Sequence, residues 1–263
     1  MTTRLILAAA ALAILVAGGP AVAAERPARA TDWTGFYLGP FIGGAWGLDV
    51  DVLEGVSQGG AIPPGTPYNA TTTPYGYDLD ASVIAGLTAG YNWHIGGWPL
   101  VIGLEGENGY LSMEGSRVDP NSVALFGGDT RDRTSVGDWY SIVGARSGYV
   151  WDRALFYLKA GAAILEVETS VVDACTTGAC GSGRVTASGD KTAITWALGA
   201  GVEWAWAANW SLKAEYVYIG LDETIRTCGP GAASAAGSTH CWTHDVGGIH
   251  TAKIGINYRF GGR

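Results

Sequence analysis

Lys191 to Trp204, KTAITWALGAGVEW, alternates without a break: Ile194, Trp196, Leu198, Ala200, Val202 and Trp204 fall on one side, and Thr195, Ala197, Gly199, Gly201 and Glu203 on the other. A period of two marks a β-strand with two unlike faces. In a soluble sheet the large apolar face would turn to a core, and Trp near both of its ends would be out of place. In a transmembrane barrel that face meets lipid, and Trp belongs at the two water interfaces. The stretch therefore predicts a lipid-facing strand whose other face lines a polar, crowded interior.

The same rhythm recurs on both sides of it. Gly35 to Gly47, Ser82 to His94, Leu100 to Met113, Asp138 to Trp151, Leu155 to Glu168, Trp210 to Leu221 and Gly248 to Phe260 all read as strands. Their connections alternate in length. Leu48–Asp80, Ser112–Gly137, Thr169–Asp190 and Asp222–Gly247 are long and rich in turn-forming residues, whereas Gly96-Gly97, Asp152-Arg153 and Ala205–Asn209 are short. The expectation is an all-β fold, an eight-stranded antiparallel transmembrane β-barrel with short periplasmic turns and four long extracellular loops. A soluble β-sandwich is the alternative. Pro40 removes a backbone donor inside the first strand, so a bulge or local irregularity is expected there.

The start of the chain sets the compartment. Arg4, the apolar run Leu5 to Val16 and the small residues Ala21-Val22-Ala23 have the three-part form of a secretory signal peptide. Residues 1–23 are read as that signal, 24–34 as a short leader, 35–260 as the barrel and 261–263 as a C-terminal extension. With 24 acidic and 16 basic residues in the whole chain, one of the basic ones lost with the signal, the protein lacks the basic surface that nucleic acid demands. Four cysteines in an exported chain point to disulfides, with Cys175–Cys180 and Cys228–Cys241 as the preferred local pairs, each in a segment that reads as loop. Cys228, His240, Cys241 and His244 offer a rival metal set, but their spacing fits no standard zinc pattern.

At its ends the chain carries a family likeness. Trp33-Thr34-Gly35-Phe36-Tyr37-Leu38-Gly39 resembles the W-T-G-F-Y-x-G opening of the alphaproteobacterial outer-membrane immunogenic protein family. Gly90-Tyr91-Asn92-Trp93, Gly144-Ala145-Arg146-Ser147-Gly148-Tyr149, Lys213-Ala214-Glu215-Tyr216 and Lys253-Ile254-Gly255-Ile256-Asn257-Tyr258-Arg259-Phe260 resemble its later strands, in order. The likeness implies a small porin-like barrel of the outer membrane with surface-exposed loops and a structural, porin-like or antigenic role. Pro40 and the Gly261-Gly262-Arg263 that follows the terminal aromatic depart from the pattern.

Turning the polar faces inward puts Glu105, Glu107, Arg146, Lys159, Glu203, Lys213, Glu215, Lys253 and Arg259 in or near the lumen. Charges there must pair or stay hydrated. A barrel of this size has room for side chains and little else, so the expected role is a structural outer-membrane barrel with at most weak passage of small solutes. The alternative is surface adhesion or ligand binding through the long loops. No ordered nucleophile, base and acid can be named, so catalysis is not expected, nor is a cofactor. Trp93, Trp151, Trp204, Trp206 and Trp210 cluster at the short-turn ends and read as an interfacial girdle. The partners implied are outer-membrane lipid and lipopolysaccharide, the barrel-assembly machinery and an unidentified surface ligand; nucleic acid is not among them. N-terminal sequencing of exported protein is expected to find a mature chain starting just after Ala23 or Ala24; a first residue of Met1 would remove the signal.

Overall fold

The computed structural model describes residues 31–47, 49–60, 62–67, 73–126, 130–173, 185–230 and 237–260. The residues read as the signal, those at 24–30 of the stretch read as leader, Cys175, Cys180 and residues 261–263 lie outside the described residues. Among them one antiparallel sheet contains β1 (Gly35–Gly47), β2 (Asp49–Ser57), β3 (Tyr75–Asp78), β4 (Ser82–His94), β5 (Leu100–Tyr110), β6 (Ser112–Val118), β7 (Thr130–Trp151), β8 (Ala154–Asp173), β9 (Val185–Ala205), β10 (Trp210–Ile219), β11 (Glu223–Pro230), β12 (Thr239–Val246) and β13 (Ile249–Phe260). One short helix, α1 (Pro120–Phe126), precedes β7.

Eight strands close into a ring. The order β1, β4, β5, β7, β8, β9, β10, β13 returns to β1, and each neighbouring pair is antiparallel and in register. Closure leaves no strand edge open at this level, which is what a sheet surrounded by lipid requires. These eight are the strands read from the sequence. Pro40 does not shift the register: it pairs with Leu87 on β4, while the ladder to β13 skips from Leu38↔Tyr258 to Phe41↔Gly255. The irregularity expected at Pro40 is a gap in one ladder and not a bulge.

Outward-facing residues define the membrane belt. On β9, Trp204, Leu198, Trp196 and Ile194 are each about half exposed, and above them come Thr192, Asp190, Ser188 and Thr186. On β8 the row Phe156, Leu158, Ala160, Ala162 and Ile164 gives way to Glu166 and Glu168. The apolar stretch is therefore about ten residues per strand, the length of a tilted bilayer crossing.

Strands β7, β8 and β9 continue past this belt, and here the sequence expectation needs correction. The segments read as long loops carry β2, β3, β6, β11 and β12, so the cysteines at 228 and 241 lie on strands and not in a loop. The extra strands pair onward in the order β6, β7, β8, β9, β11, β12, β2, β3, and β3 lies back beside β6, where Asp80 N donates to Glu114 O at 2.7 Å. A second, outer cylinder thus stands on the transmembrane ring, roughly 20 Å tall if the strands keep their rise and tilt. A bulge in β7 marks the border: its register to β8 shifts between Val136 and Tyr140, with Gly137 and Asp138 at φ 117° and 68°.

The interior also departs from a uniformly polar lumen. A small apolar cluster of Trp33, Val101, Val150, Leu155, Tyr157 and Ala205 fills the periplasmic end. A larger one, including Phe41, Ile84, Ile142, Leu165, Val217, Ile219 and Trp242, fills the outer half of the ring and runs on into the outer cylinder. Leu198→Arg, in mid-belt, is expected to destabilise the folded protein by about 2–4 kcal/mol in vesicles, whereas Thr186→Arg above the belt should change stability by under about 1 kcal/mol. Urea unfolding followed by tryptophan fluorescence checks the pair.

Candidate functional site

Between the two apolar clusters lies a layer of charge. Glu105 and Glu107 stand on β5, Arg146 on β7, Lys159 on β8, Glu203 on β9, Lys213 and Glu215 on β10, and Lys253 and Arg259 on β13. All nine are at most 5% exposed. They are inside because each occupies the face opposite a lipid-facing apolar residue, as the two-residue period dictates.

Eight of the nine form one connected set. Arg146 reaches Glu105 at 3.2 Å and Glu203 at 3.1 Å. Lys159 meets Glu105 at 2.6 Å, Glu107 at 3.0 Å and Glu215 at 3.4 Å. Lys253 pairs with Glu107 and, at 3.0 Å, with Glu215, and Lys213 lies 3.8 Å from Glu105. Arg146 and Lys159 are directly opposite across β7 and β8, a repulsive arrangement on its own. Glu105 resolves it by placing one carboxylate oxygen toward each cation. Arg259 stands apart: its Nη2 donates to Ala208 O at 3.0 Å, and its guanidinium lies over the Trp33 ring at 5.0 Å.

Neutral groups complete the layer, and the sequence reading missed them. The phenols of Tyr37, Tyr140 and Tyr157 donate to Glu105, Glu107 and Glu215 at 2.7, 2.6 and 2.7 Å. Ser211 and Asn257 donate to Glu203, Lys213 donates to Thr88 Oγ1 at 3.1 Å, and Arg146 Nε donates to Asn92 Oδ1 at 2.9 Å. Every strand of the ring supplies at least one member. Two glycines make room for the tyrosines: a Cβ on Gly90 would come within 2.2 Å of Tyr37 Oη, and one on Gly201 within 2.5 Å of the Tyr157 ring. Polar residues on the inward face of alternating strands were the signal for the charges; that period also puts Tyr157 on the face of Lys159, whereas Tyr37, between Gly35 and Gly39, and Tyr140, before Ile142, have no such marker.

The carboxylates of Glu105, Glu107 and Glu215 lie close enough to share a cation. Lys159 Nζ contacts all three, so a side-chain ammonium already occupies that role. The geometry is that of a charge-compensated layer.

The outer cylinder holds a second polar group. Tyr75 donates to Asp132 Oδ2, Tyr77 and Thr134 share a hydrogen bond at 2.7 Å, and His244 Nε2 lies 3.4 Å from Asp132 Oδ1. Thr227 Oγ1 is 3.4 Å from His244 Nδ1 and also bonds Thr169 Oγ1. The order carboxylate, imidazole, hydroxyl resembles a catalytic sequence, yet Asp132, His244 and Thr227 have no exposed surface through which a substrate could reach them. Burial, and then the Asp132 carboxylate, push the Tyr75 phenol well above its usual range. Burial pushes the His240 imidazole down. Cys228 and Cys241, directly opposite on β11 and β12, form a disulfide, which removes both sulfurs from the metal set considered from the sequence.

Trp93, Trp151, Trp204, Trp206 and Trp210 are 42–72% exposed at the ends joined by short turns. Trp93 packs against Tyr91 at 4.8 Å and Trp210 against Tyr258 at 4.9 Å. The opposite interface, where the sequence reading named no girdle although it placed Trp at both ends of Lys191–Trp204, carries Trp46, Trp139 and Trp196, with Trp46 stacked on His250.

Removing one member of the charge layer strands its partners. Glu107→Ala leaves Lys159 and Lys253 short of a carboxylate and is expected to lower unfolding free energy by about 3–5 kcal/mol. Arg133→Ala, which breaks the exposed pair with Glu114 on the outer cylinder, should cost under about 1 kcal/mol. Equal effects in urea titrations of the two variants would show that the lumen layer is no more than ordinary surface pairing.

The family model described as outer membrane protein beta-barrel domain matches residues 9–260. The 31 kDa outer-membrane immunogenic proteins of Brucella melitensis biotype 1 and Brucella suis biovar 1 are each 28% identical over 256 residues, covering 94% of this chain and 91% of theirs. Among solved structures, the outer membrane protein OprG from Pseudomonas aeruginosa aligns with a TM-score of 0.47 and 12% identity, over 88% of this chain and 99% of that one. The outer membrane protease OmpT from Escherichia coli aligns with a TM-score of 0.47 and 9% identity, over 86% and 97%. With its closed ring, lipid belt and matching family model, the chain belongs to the outer membrane protein beta-barrel domain family and is a protein of the outer membrane.

Proposed function

We propose that this protein is a structural barrel of the outer membrane whose lumen is closed, and that it carries its outer cylinder as a projection at the cell surface. The observation behind this reading is the charge layer: four glutamates and four cations, all buried and mutually paired, span the ring from wall to wall. Apolar clusters lie on both sides of it. A solute would have to separate ion pairs in a low-dielectric interior and then cross packed side chains. In this reading the protein is not an enzyme, its lipid partners are the bilayer and lipopolysaccharide around the belt, and Phe260 near its end serves recognition by the assembly machinery.

A second reading, surface binding, is favoured by the outer cylinder. Most of its strands are joined by antiparallel ladders, β11 and β12 are cross-linked by Cys228–Cys241, and all pack around buried side chains, which gives a partner a pre-organised surface. For the first reading the test is conductance of folded protein in a planar bilayer, with denatured protein as control. No steps above control are expected from the native chain. Discrete, reproducible steps that change in size with Glu105→Gln or Lys253→Gln would establish a pore through the charge layer and overturn the closed-lumen reading.

A further inference from the structure

Of the eight junctions in the outer cylinder, seven carry residue pairs in register, although β9 and β11 share just Ser188↔Cys228. The eighth, β3 against β6, has no such pairing among the described residues. It is held by the Asp80 N to Glu114 O bond, by Arg117 donating to Gly76 O, and by close packing at Gly115, where a Cβ would come within 2.6 Å of Asp78 O. From inside, β3 is anchored by its two phenols, Tyr75 on Asp132 and Tyr77 on Thr134. A four-residue strand with a ladder on one edge alone is the element of a sheet that opens most easily.

β3 also fits its slot imperfectly. Its Asp78 stands directly opposite Asp49 of β2, and like charges in that position destabilise a strand pair. The close contact with Asp78 and the repulsion between the two carboxylates hold the Asp49 carboxyl above its ordinary range. A cation in place of Asp78 would turn the same contact into an attraction.

We propose that β3 is a displaceable strand, and that the slot it fills between β2 and β6 binds an extended peptide segment of a partner protein carrying aromatic hydroxyls at alternate positions followed by a basic residue. Strand addition supplies main-chain hydrogen bonds along β2 and β6, and the inward positions supply selectivity. Asp132 and Thr134, two residues apart on β7 and facing inward, meet the two hydroxyls at the spacing of Tyr75 and Tyr77, Asp132 as acceptor and Thr134 as a hydroxyl partner. Asp49 meets the base. His244 Nε2 lies 3.4 Å from the other oxygen of Asp132 and stays beside it while the strands exchange. The proposal goes beyond the closed-lumen reading and does not depend on it.

The probe is a fluorescent octapeptide with the chain's own sequence from Thr73 to Asp80, compared with its Asp78→Lys form and with a form in which both tyrosines are Phe. Titrated against the folded full-length protein, the Asp78→Lys peptide is expected to bind roughly fivefold tighter than the native sequence, and the Phe form to lose most of that affinity. Hydrogen exchange should show Tyr75–Asp78 losing protection on binding while β6 gains it. Placing Asp78→Lys in the protein itself should strengthen β3 against Asp49 and weaken peptide uptake roughly fivefold. Absence of saturable binding by any of the peptides overturns the proposal, as does binding that leaves Tyr75–Asp78 protected or that is unaffected by Asp78→Lys in the protein.

Discussion

Lys159 Nζ, held by Glu105, Glu107 and Glu215, is the point on which the interior of the ring turns. An ammonium group cannot sit between lipid-facing walls without partners, and each of its three carboxylates must in turn be shared with another cation or a phenol. Those obligations spread through Arg146, Lys253 and Lys213 until all eight strands contribute. The ladders between strands set the circumference of the barrel; the charge layer ties its opposite walls together. The two kinds of bonding are at right angles, so shearing one strand past its neighbour would break both.

The outer cylinder is built on a different balance. Its outward faces meet water, and its strands can be short and polar because stability comes from the inward side chains, among them Val50, Val52, Met113 and Trp242. The β7 bulge lets the same strand serve both regimes. Below it, the outward positions are mostly apolar, Trp139, Val143, Ala145, Tyr149 and Trp151 with Ser141 and Ser147 between them; above it, Ser135, Arg133 and Arg131 take their place.

This division explains what could be read from the chain beforehand. The transmembrane strands announce themselves because lipid requires an apolar face, and the residues left on the other face, Glu105 through Arg259, follow from the period alone. The outer strands do not. Asp49-Val50-Asp51-Val52 and Tyr75-Gly76-Tyr77-Asp78 do alternate, but over four residues and amid Gly, Pro, Thr and Asp, a composition shared with true loops. Trp33 reads as a leader residue and packs instead into the periplasmic end of the lumen, a placement that depends on Arg259, more than two hundred positions away, lying beneath its ring. The tyrosines that hold the glutamates depend on glycines of neighbouring strands, a relation that exists only once the ring is closed.

β1 and β13, the first and last strands of the chain, are neighbours in the ring. The ladder between them is the one that closes the ring when the strands are laid down in chain order. Until that moment the sheet is an open gutter, and Lys253, on the final strand, has its carboxylate partners on β5 and β10. Chain delivered to hydrocarbon one strand at a time would carry bare ammonium and carboxylate groups into oil. The order of events that avoids this is a sheet that curls with water still in its trough, lets opposite charges find one another there, and zips its two ends last. The seam between β1 and β13 is thus the place where strand pairing and charge pairing are completed together.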